Sequence, residues 1–310
     1  MIASENTSNL PANPVERPPD NYPQLVEEDL LKSYRLKPGS LQYRLMSSLF
    51  KKPIIQLAKF LMQLDEHLAG NNVQSMARLA VARLTSGLSM QDEPKNFATG
   101  PVLVVANHPG WIDSFAALAG ITRPDVVFLA GAHPTIDNLP HFKQHLIFVD
   151  QQGTVNRAAA IRQVVEQLKA NKVVLIFPKG LLEPDPALIP GAKQSILGWN
   201  DSVGIFLNKV PETILQPMLI SQMVHPQAWN HCAIRLFKEQ RRRQQLAIVL
   251  QFALSLRKKS GARWKVQPRV DFGEALSAYD LSPTLNPHEI SLNLKERMLS
   301  LLAKIYPNQA

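Results

Sequence analysis

From residue 101 to residue 221, short apolar runs typical of strands alternate with stretches typical of helices. The runs are VLVVA, VVFLA, HLIFVD, VVLIF and ILQPMLI, and the helical stretches include FAALAGI and AAIRQVVEQLKAN. Strands that alternate with helices usually pair in parallel, because each helix carries the chain back across the sheet. The pattern predicts a layered α/β fold with a largely parallel or mixed central sheet flanked by helices.

The remaining segments suggest how the chain is divided. Residues 1–30 hold five prolines and few apolar side chains, and we expect a flexible tail there. In residues 31–95, apolar side chains recur near every 3.6 positions without a strand pattern, which predicts two or three helices facing a membrane. The α/β domain should then span 96–275 with an insert at about 238–262, and helices should follow over 276–310.

Positive charge is concentrated in two apolar-rich zones of a chain whose net charge is +9. Residues 31–60 carry seven Lys or Arg and no acid, and residues 235–265 carry ten against one Glu. In SLFKKPIIQLAKFLMQL the lysines alternate with apolar side chains at helical spacing, which favours an amphipathic helix on an anionic lipid surface. A helix packed on the core is the first alternative, and a groove for nucleic acid, which we do not expect as a partner, is the second.

Composition also bears on the cellular location. The single cysteine, Cys232, excludes an intramolecular disulfide, and the opening MIASENTSN does not resemble a secretory signal. The longest apolar run, LAIVLQFALSL, has eleven residues, fewer than the roughly 20 that cross a bilayer. We expect a cytoplasmic protein that associates peripherally with a membrane.

The segment VVANHPGWIDSF, residues 104–115, places His108 and Asp113 on the turn after a strand-like run. A carboxylate bonded to one imidazole nitrogen fixes the tautomer and leaves the other nitrogen to accept a proton. The pair can therefore act as a general base. The alternative is that Asp113 only caps the following helix and that His108 is a surface residue.

Three further motifs follow in order: HLIFVDQQG, VVLIFPKGLLEP and ILQPMLIS. Together with VANHPGWID they resemble the glycerophospholipid acyltransferase family, which includes lysophosphatidic acid acyltransferases, over about residues 98–273. The resemblance implies transfer of a fatty acyl group from acyl-CoA or acyl carrier protein to a lipid hydroxyl, with that thioester as co-substrate and no other cofactor. It also implies that His108 is the general base and that Asp113 orients it.

The second and third motifs depart from the family pattern. Gln151 stands where the family usually has an arginine that meets the acceptor phosphate, Lys179 replaces a glutamate, and Leu181 and Leu182 replace threonine and arginine. The positions that match are Phe148, Val149, Asp150, Phe177, Pro178, Gly180 and Pro217. Each lost arginine would remove a phosphate contact worth ~1.5–3 kcal/mol. We therefore expect an acceptor such as another lysolipid, a glycolipid or a long-chain alcohol, rather than glycerol 3-phosphate or lysophosphatidic acid.

The resemblance also suggests residues around the catalytic pair. Backbone amides near Gly110 and Gly180 are candidates for stabilising an oxyanion or binding the acyl donor, although both glycines can equally serve tight turns. Lys179, Lys193 and Arg157 can supply point charges for an anion. The candidate acceptor-binding residues are Asp150, Gln151, Phe177, Pro178, Lys179 and Lys193.

Other readings are less well supported by the sequence. The altered third motif leaves open a catalytically reduced protein that binds lipid or acyl thioester. We find no Gly-x-Ser-x-Gly elbow, no phosphate loop and no dinucleotide-binding glycine motif. His133, His141 and His145 could suggest a metal site, but no acid or third ligand stands at a known spacing, and we expect no metal.

Overall fold

A computed structural model describes residues 18–33, 39–94, 99–131, 133–149, 154–256 and 261–309. The described strands form one seven-stranded sheet. They are β1 (Ser89–Gln91), β2 (Val102–Ala106), β3 (Val126–Gly131), β4 (Leu146–Val149), β5 (Val173–Ile176), β6 (Ile214–Ser221) and β7 (Arg269–Phe272).

The sheet has the strand order β1-β7-β6-β2-β5-β3-β4. β2 pairs in parallel with both β5 and β6, and β3 pairs in parallel with β5 and β4. β7 runs antiparallel to β6, and β1 is parallel to β7. The predicted fold class, a layered α/β fold with a mixed sheet, is therefore confirmed.

Helices cover both faces of the sheet. They are α1 (Tyr22–Ser33), α2 (Leu41–Ala69), α3 (Val73–Leu84), α4 (Asp113–Gly120), α5 (Pro134–Asp137), α6 (Pro140–Lys143), α7 (Thr154–Lys169), α8 (Ala192–Leu197), α9 (Ser202–Lys209), α10 (Pro226–Trp229), α11 (Cys232–Arg235), α12 (Gln240–Ser255), α13 (Ala278–Leu281) and α14 (Pro287–Ile305), with 3₁₀ turns at Gly261–Trp264 and Pro307–Gln309. Alternate residues of β2 contact opposite layers: Val102 and Val104 pack with α1 to α4, whereas Leu103 and Val105 pack with α7, α9 and α14. This two-residue period explains why the central strands are apolar throughout.

Two predicted boundaries are wrong. Residues 22–30 do not belong to a flexible tail, because Tyr22 and Val26 of α1 are buried in the core and the Tyr22 hydroxyl donates to the Thr135 carbonyl at 2.6 Å. Residues 1–17 of that segment lie outside the described part of the chain. The sheet also begins before residue 96, since β1 pairs with β7. Its three residues are too short to show an alternating pattern.

Helix α2 packs against the core along one face. Ile54, Ala58 and Leu64 are buried, whereas Lys51 and Lys59 are exposed. The alternative of a packed helix therefore describes this face, and the two lysines remain exposed to solvent. Within the residues that the structure describes, no helix is both long enough and apolar enough to span a bilayer.

Candidate active site

The candidate site lies where neighbouring parallel strands end. β2, β5 and β6 are adjacent and parallel, so the segments after them begin at the same edge of the sheet, where ligands bind in open α/β sheets. His108 follows β2 and Phe177 follows β5. The fourth motif lies within β6, where Pro217 pairs with Val105 of β2.

The second motif ends at the same edge but farther away. Phe148 and Val149 are in β4, which is the third strand from β2 and therefore roughly 14 Å from it. Asp150 and Gln151, predicted to bind the acceptor, lie outside the described residues.

His108 and Asp113 form a short contact, 2.7 Å between Nδ1 and Oδ2. The same carboxylate is fully buried and accepts the amides of Gly110 at 2.8 Å and Ser114 at 2.7 Å. α4 begins at Asp113, so the tight Pro-Gly turn before it brings the carboxylate back onto the ring. A simple cap of the helix does not describe this arrangement. Since Nδ1 is occupied, Nε2 is the ring nitrogen that remains for proton exchange.

The surroundings of His108 adjust its basicity. Burial lowers the pKa of His108, but the charge of Asp113 and its hydrogen bond outweigh that effect, so the pKa lies above the ordinary 6.5. Glu183 raises the pKa further, and Arg241 lowers it. The side chain remains 32% exposed, so a substrate can reach the ring.

A buried acid that the sequence analysis did not select, Glu183, holds the His108 backbone. Its Oε1 accepts the His108 amide at 3.1 Å, and its own amide donates to the His108 carbonyl at 2.8 Å. Oε2 accepts from the Ser195 hydroxyl at 2.6 Å and the Trp199 indole at 2.9 Å. Burial raises the pKa of Glu183 despite these donors. The available signal was its place near the end of VVLIFPKGLLEP, but the resemblance assigned no role to this position.

The predicted insert contributes to the same site. Gln244 of α12 is buried, and its side-chain amide donates to the carbonyls of Pro109 and Glu183, both at 2.8 Å. The insert therefore stabilises the loop that carries His108, and α12 is part of the fold that supports the site.

The two glycines near His108 already use their amides. The Gly110 amide donates to Asp113, and the Gly180 amide donates to the Phe177 carbonyl at 2.9 Å. A side chain at Gly110 would meet Met223 at 3.0 Å, and Gly180 has a φ of +63°. The local structure therefore explains why glycine occupies each position. Stabilising an oxyanion through either amide would require it to change partners, and that role stays a prediction.

The third-motif residues differ in their placement. The Phe177 ring lies 4.9 Å from the His108 ring, and Pro178 is buried. Lys179 donates to the Gly198 carbonyl at 3.3 Å, at the end of α8. Leu182 packs on the apolar cluster that α10 to α12 form, so the position of the missing arginine faces this cluster. Lys193 is half-buried on α8.

The three histidines considered for a metal do not converge. Two of them pair with acids that belong to α1 and α2, far away in sequence. The contacts are His133 with Asp29 at 3.5 Å, His141 with Asp65 at 2.9 Å, and His145 with the Val126 carbonyl at 3.1 Å.

A known family model matches the part of the chain that carries the first three motifs. Residues 90–196 match the family model described as Acyltransferase, and this range includes His108, Asp113 and Glu183. The fold is similar to the crystal structure of the 1-acyl-sn-glycerophosphate (LPA) acyltransferase PlsC from Thermotoga maritima, with 14% identity, coverage of 91% of this chain and 93% of that chain, and a TM-score of 0.41. The comparison with curated proteins gave no match. The similarity to the acyltransferase family thus covers residues 90–196, the part of the chain that contains the His108–Asp113 pair.

Proposed function

We propose that the protein transfers a fatty acyl group from acyl-CoA or acyl carrier protein to the hydroxyl of a lysolipid or another lipid-like acceptor. The observation that carries this proposal is the 2.7 Å contact between His108 Nδ1 and Asp113 Oδ2 at the carboxyl edge of β2, inside an acyltransferase domain. A base is needed because an alcohol is a weak nucleophile until its proton is removed.

The chemistry needs one histidine. His108 Nε2 takes the proton of the acceptor hydroxyl while the oxygen forms a bond to the thioester carbonyl carbon. The tetrahedral intermediate then collapses, the carbon–sulfur bond breaks, and the leaving thiolate takes the proton back from His108. Asp113 holds the ring and stabilises the imidazolium that forms between the two steps.

The surface near the third motif suits an apolar substrate. Leu181 and Leu197 are 38% and 50% exposed, and the contact of Lys179 with Gly198 brings their two segments together. Phe177 adds an aromatic face beside His108. These side chains support a lipid-like acceptor, and Leu181 is at the position where the family carries threonine.

Peripheral attachment to an anionic membrane belongs to the same proposal. Lys51, Lys52 and Lys59 are exposed on α2, and Leu236 is 80% exposed next to Arg235. On each of these two segments, exposed basic side chains favour contact with anionic lipid headgroups.

The test is acyl transfer itself. Thiol release from palmitoyl-CoA is measured with a panel of lysolipids, glycolipids and fatty alcohols, and then with palmitoyl acyl carrier protein, for the wild type and His108→Ala. His141→Ala is the matched control, because it removes a second His-Asp pair of similar geometry, 2.9 Å from Asp65. We expect acceptor-dependent release that His108→Ala abolishes and His141→Ala retains.

Two outcomes would contradict the proposal. Release that persists in His108→Ala would exclude this residue as the base. Thioester binding without transfer to any acceptor from either donor would favour the lipid-binding or thioester-binding protein.

A further inference from the structure

The first two turns of α12 contact the loop that carries His108 and the segment after the third motif. Gln240 donates to the Pro190 carbonyl at 2.7 Å, and Gln244, one turn later, donates to the Pro109 and Glu183 carbonyls. Residues three and four apart share a helix face. Arg241 precedes Gln244 by three positions, so it lies on the helix face that contacts Pro109, the residue next to His108.

The three consecutive arginines of this turn have different surroundings. The Arg242 guanidinium lies 5.3 Å from the centre of the Phe237 ring. Arg243 lies 3.8 Å from the Trp229 ring and donates to its carbonyl at 3.0 Å. Arg241 is exposed, and among the described residues it has no ion pair and no aromatic ring. Its guanidinium is therefore available to a ligand, whereas the other two stabilise the α10 to α12 region.

The positive charge of Arg241 interacts with His108, since it lowers the pKa of that imidazole. At the same time, Leu182 stands where the family has a phosphate-binding arginine, and it packs against the cluster to which α12 contributes Ala247 and Ile248. The insert thus covers the position of the missing arginine with apolar contacts and brings an arginine of its own to the same loop.

We propose that Arg241 binds a phosphate group of a substrate whose reacting atom lies at His108. The proposal rests on the proposed function, because it assumes that a substrate occupies His108. A guanidinium can donate two parallel hydrogen bonds to a phosphate, which a lysine cannot reproduce. The phosphate can belong to the thioester donor or to the acceptor headgroup.

The experiment compares Arg241→Gln with Arg242→Gln, a matched control one position away whose guanidinium already contacts Phe237. KM is measured for palmitoyl-CoA and for palmitoyl-N-acetylcysteamine, a thioester without phosphate. It is also measured for lysophosphatidic acid and for monoacylglycerol, which lacks the phosphate. We expect Arg241→Gln to raise KM for one phosphate-bearing substrate by about 10- to 100-fold and to leave its phosphate-free partner unchanged.

The outcomes separate the two sources. A rise with palmitoyl-CoA alone assigns the phosphate to the donor, and a rise with lysophosphatidic acid alone assigns it to the acceptor. Equal KM values for wild type and Arg241→Gln, or the same rise in Arg242→Gln, would overturn the proposal. A second measurement, the pH–rate profile, is specific to charge. Because Arg241 lowers the pKa of His108, Arg241→Gln should move the acid limb of this profile to higher pH.

Failure of the proposed function would be recognised separately. If the wild type transfers no acyl group, equilibrium binding of palmitoyl-CoA and lysophosphatidic acid replaces KM. Affinity for one of them that falls at least tenfold in Arg241→Gln but not in Arg242→Gln would support the phosphate site without catalysis. Unchanged affinity for both would refute it.

Discussion

Gln244 offers a direct test of how α12 supports the catalytic loop. Its side-chain amide is buried and donates to two backbone carbonyls, those of Pro109 and Glu183. Gln244→Leu keeps the side chain close in size and removes both bonds. Each neutral hydrogen bond contributes about 0.5–1.5 kcal/mol, so the free energy of unfolding should fall by about 1–3 kcal/mol.

The effect on activity should be larger than this loss of stability explains. Pro109 directly follows His108, and a displacement of a catalytic group by about 1 Å can cost about 100-fold in rate. We expect kcat for acyl transfer to fall about 10- to 100-fold in Gln244→Leu under conditions where the variant is fully folded. Denaturant unfolding measures the stability, and thiol release measures kcat.

A second buried glutamine of α12 provides the control. Gln251 also makes two hydrogen bonds, donating to the Met223 carbonyl at 2.9 Å and accepting the His225 amide at 2.7 Å. Gln251→Leu should lose similar stability with a smaller loss of kcat, because it acts on the segment after β6. If both variants lose the same activity, or if Gln244→Leu keeps the kcat of the wild type, the proposed support of His108 by α12 is refuted.

Two further predictions concern the base and the membrane. Asp113→Asn removes the charge that raises the pKa of His108, so the rate of acyl transfer should fall. The acid limb of the pH–rate profile should also move to lower pH. If this limb does not move, it reports the titration of another group. Reversing the charge of Lys51, Lys52 and Lys59 together should weaken sedimentation with anionic vesicles, at about 1 kcal/mol for each lysine, while neutral vesicles show no change; unchanged sedimentation with anionic vesicles would exclude α2 as the contact.

Patterns within short segments were sufficient for the central strands of the sheet and for the contact between His108 and Asp113. Apolar runs of strand length predicted the central strands, because strands buried on both faces need apolar side chains throughout. The five-residue spacing of His108 and Asp113 is bridged by one turn and the start of α4, so few backbone angles separate them. The family pattern then supplied their proposed roles.

The support of that pair depends on contacts that only tertiary structure creates. Glu183 is 75 residues from His108 and Gln244 is 135 residues from Pro109, and no local pattern connects the two residues of either pair. The burial of α1 and the pairing of β1 with β7 likewise depend on which distant surfaces meet. Local patterns predict the secondary structure of a segment. The partner of a buried polar group depends instead on how helices and strands from distant parts of the chain pack together.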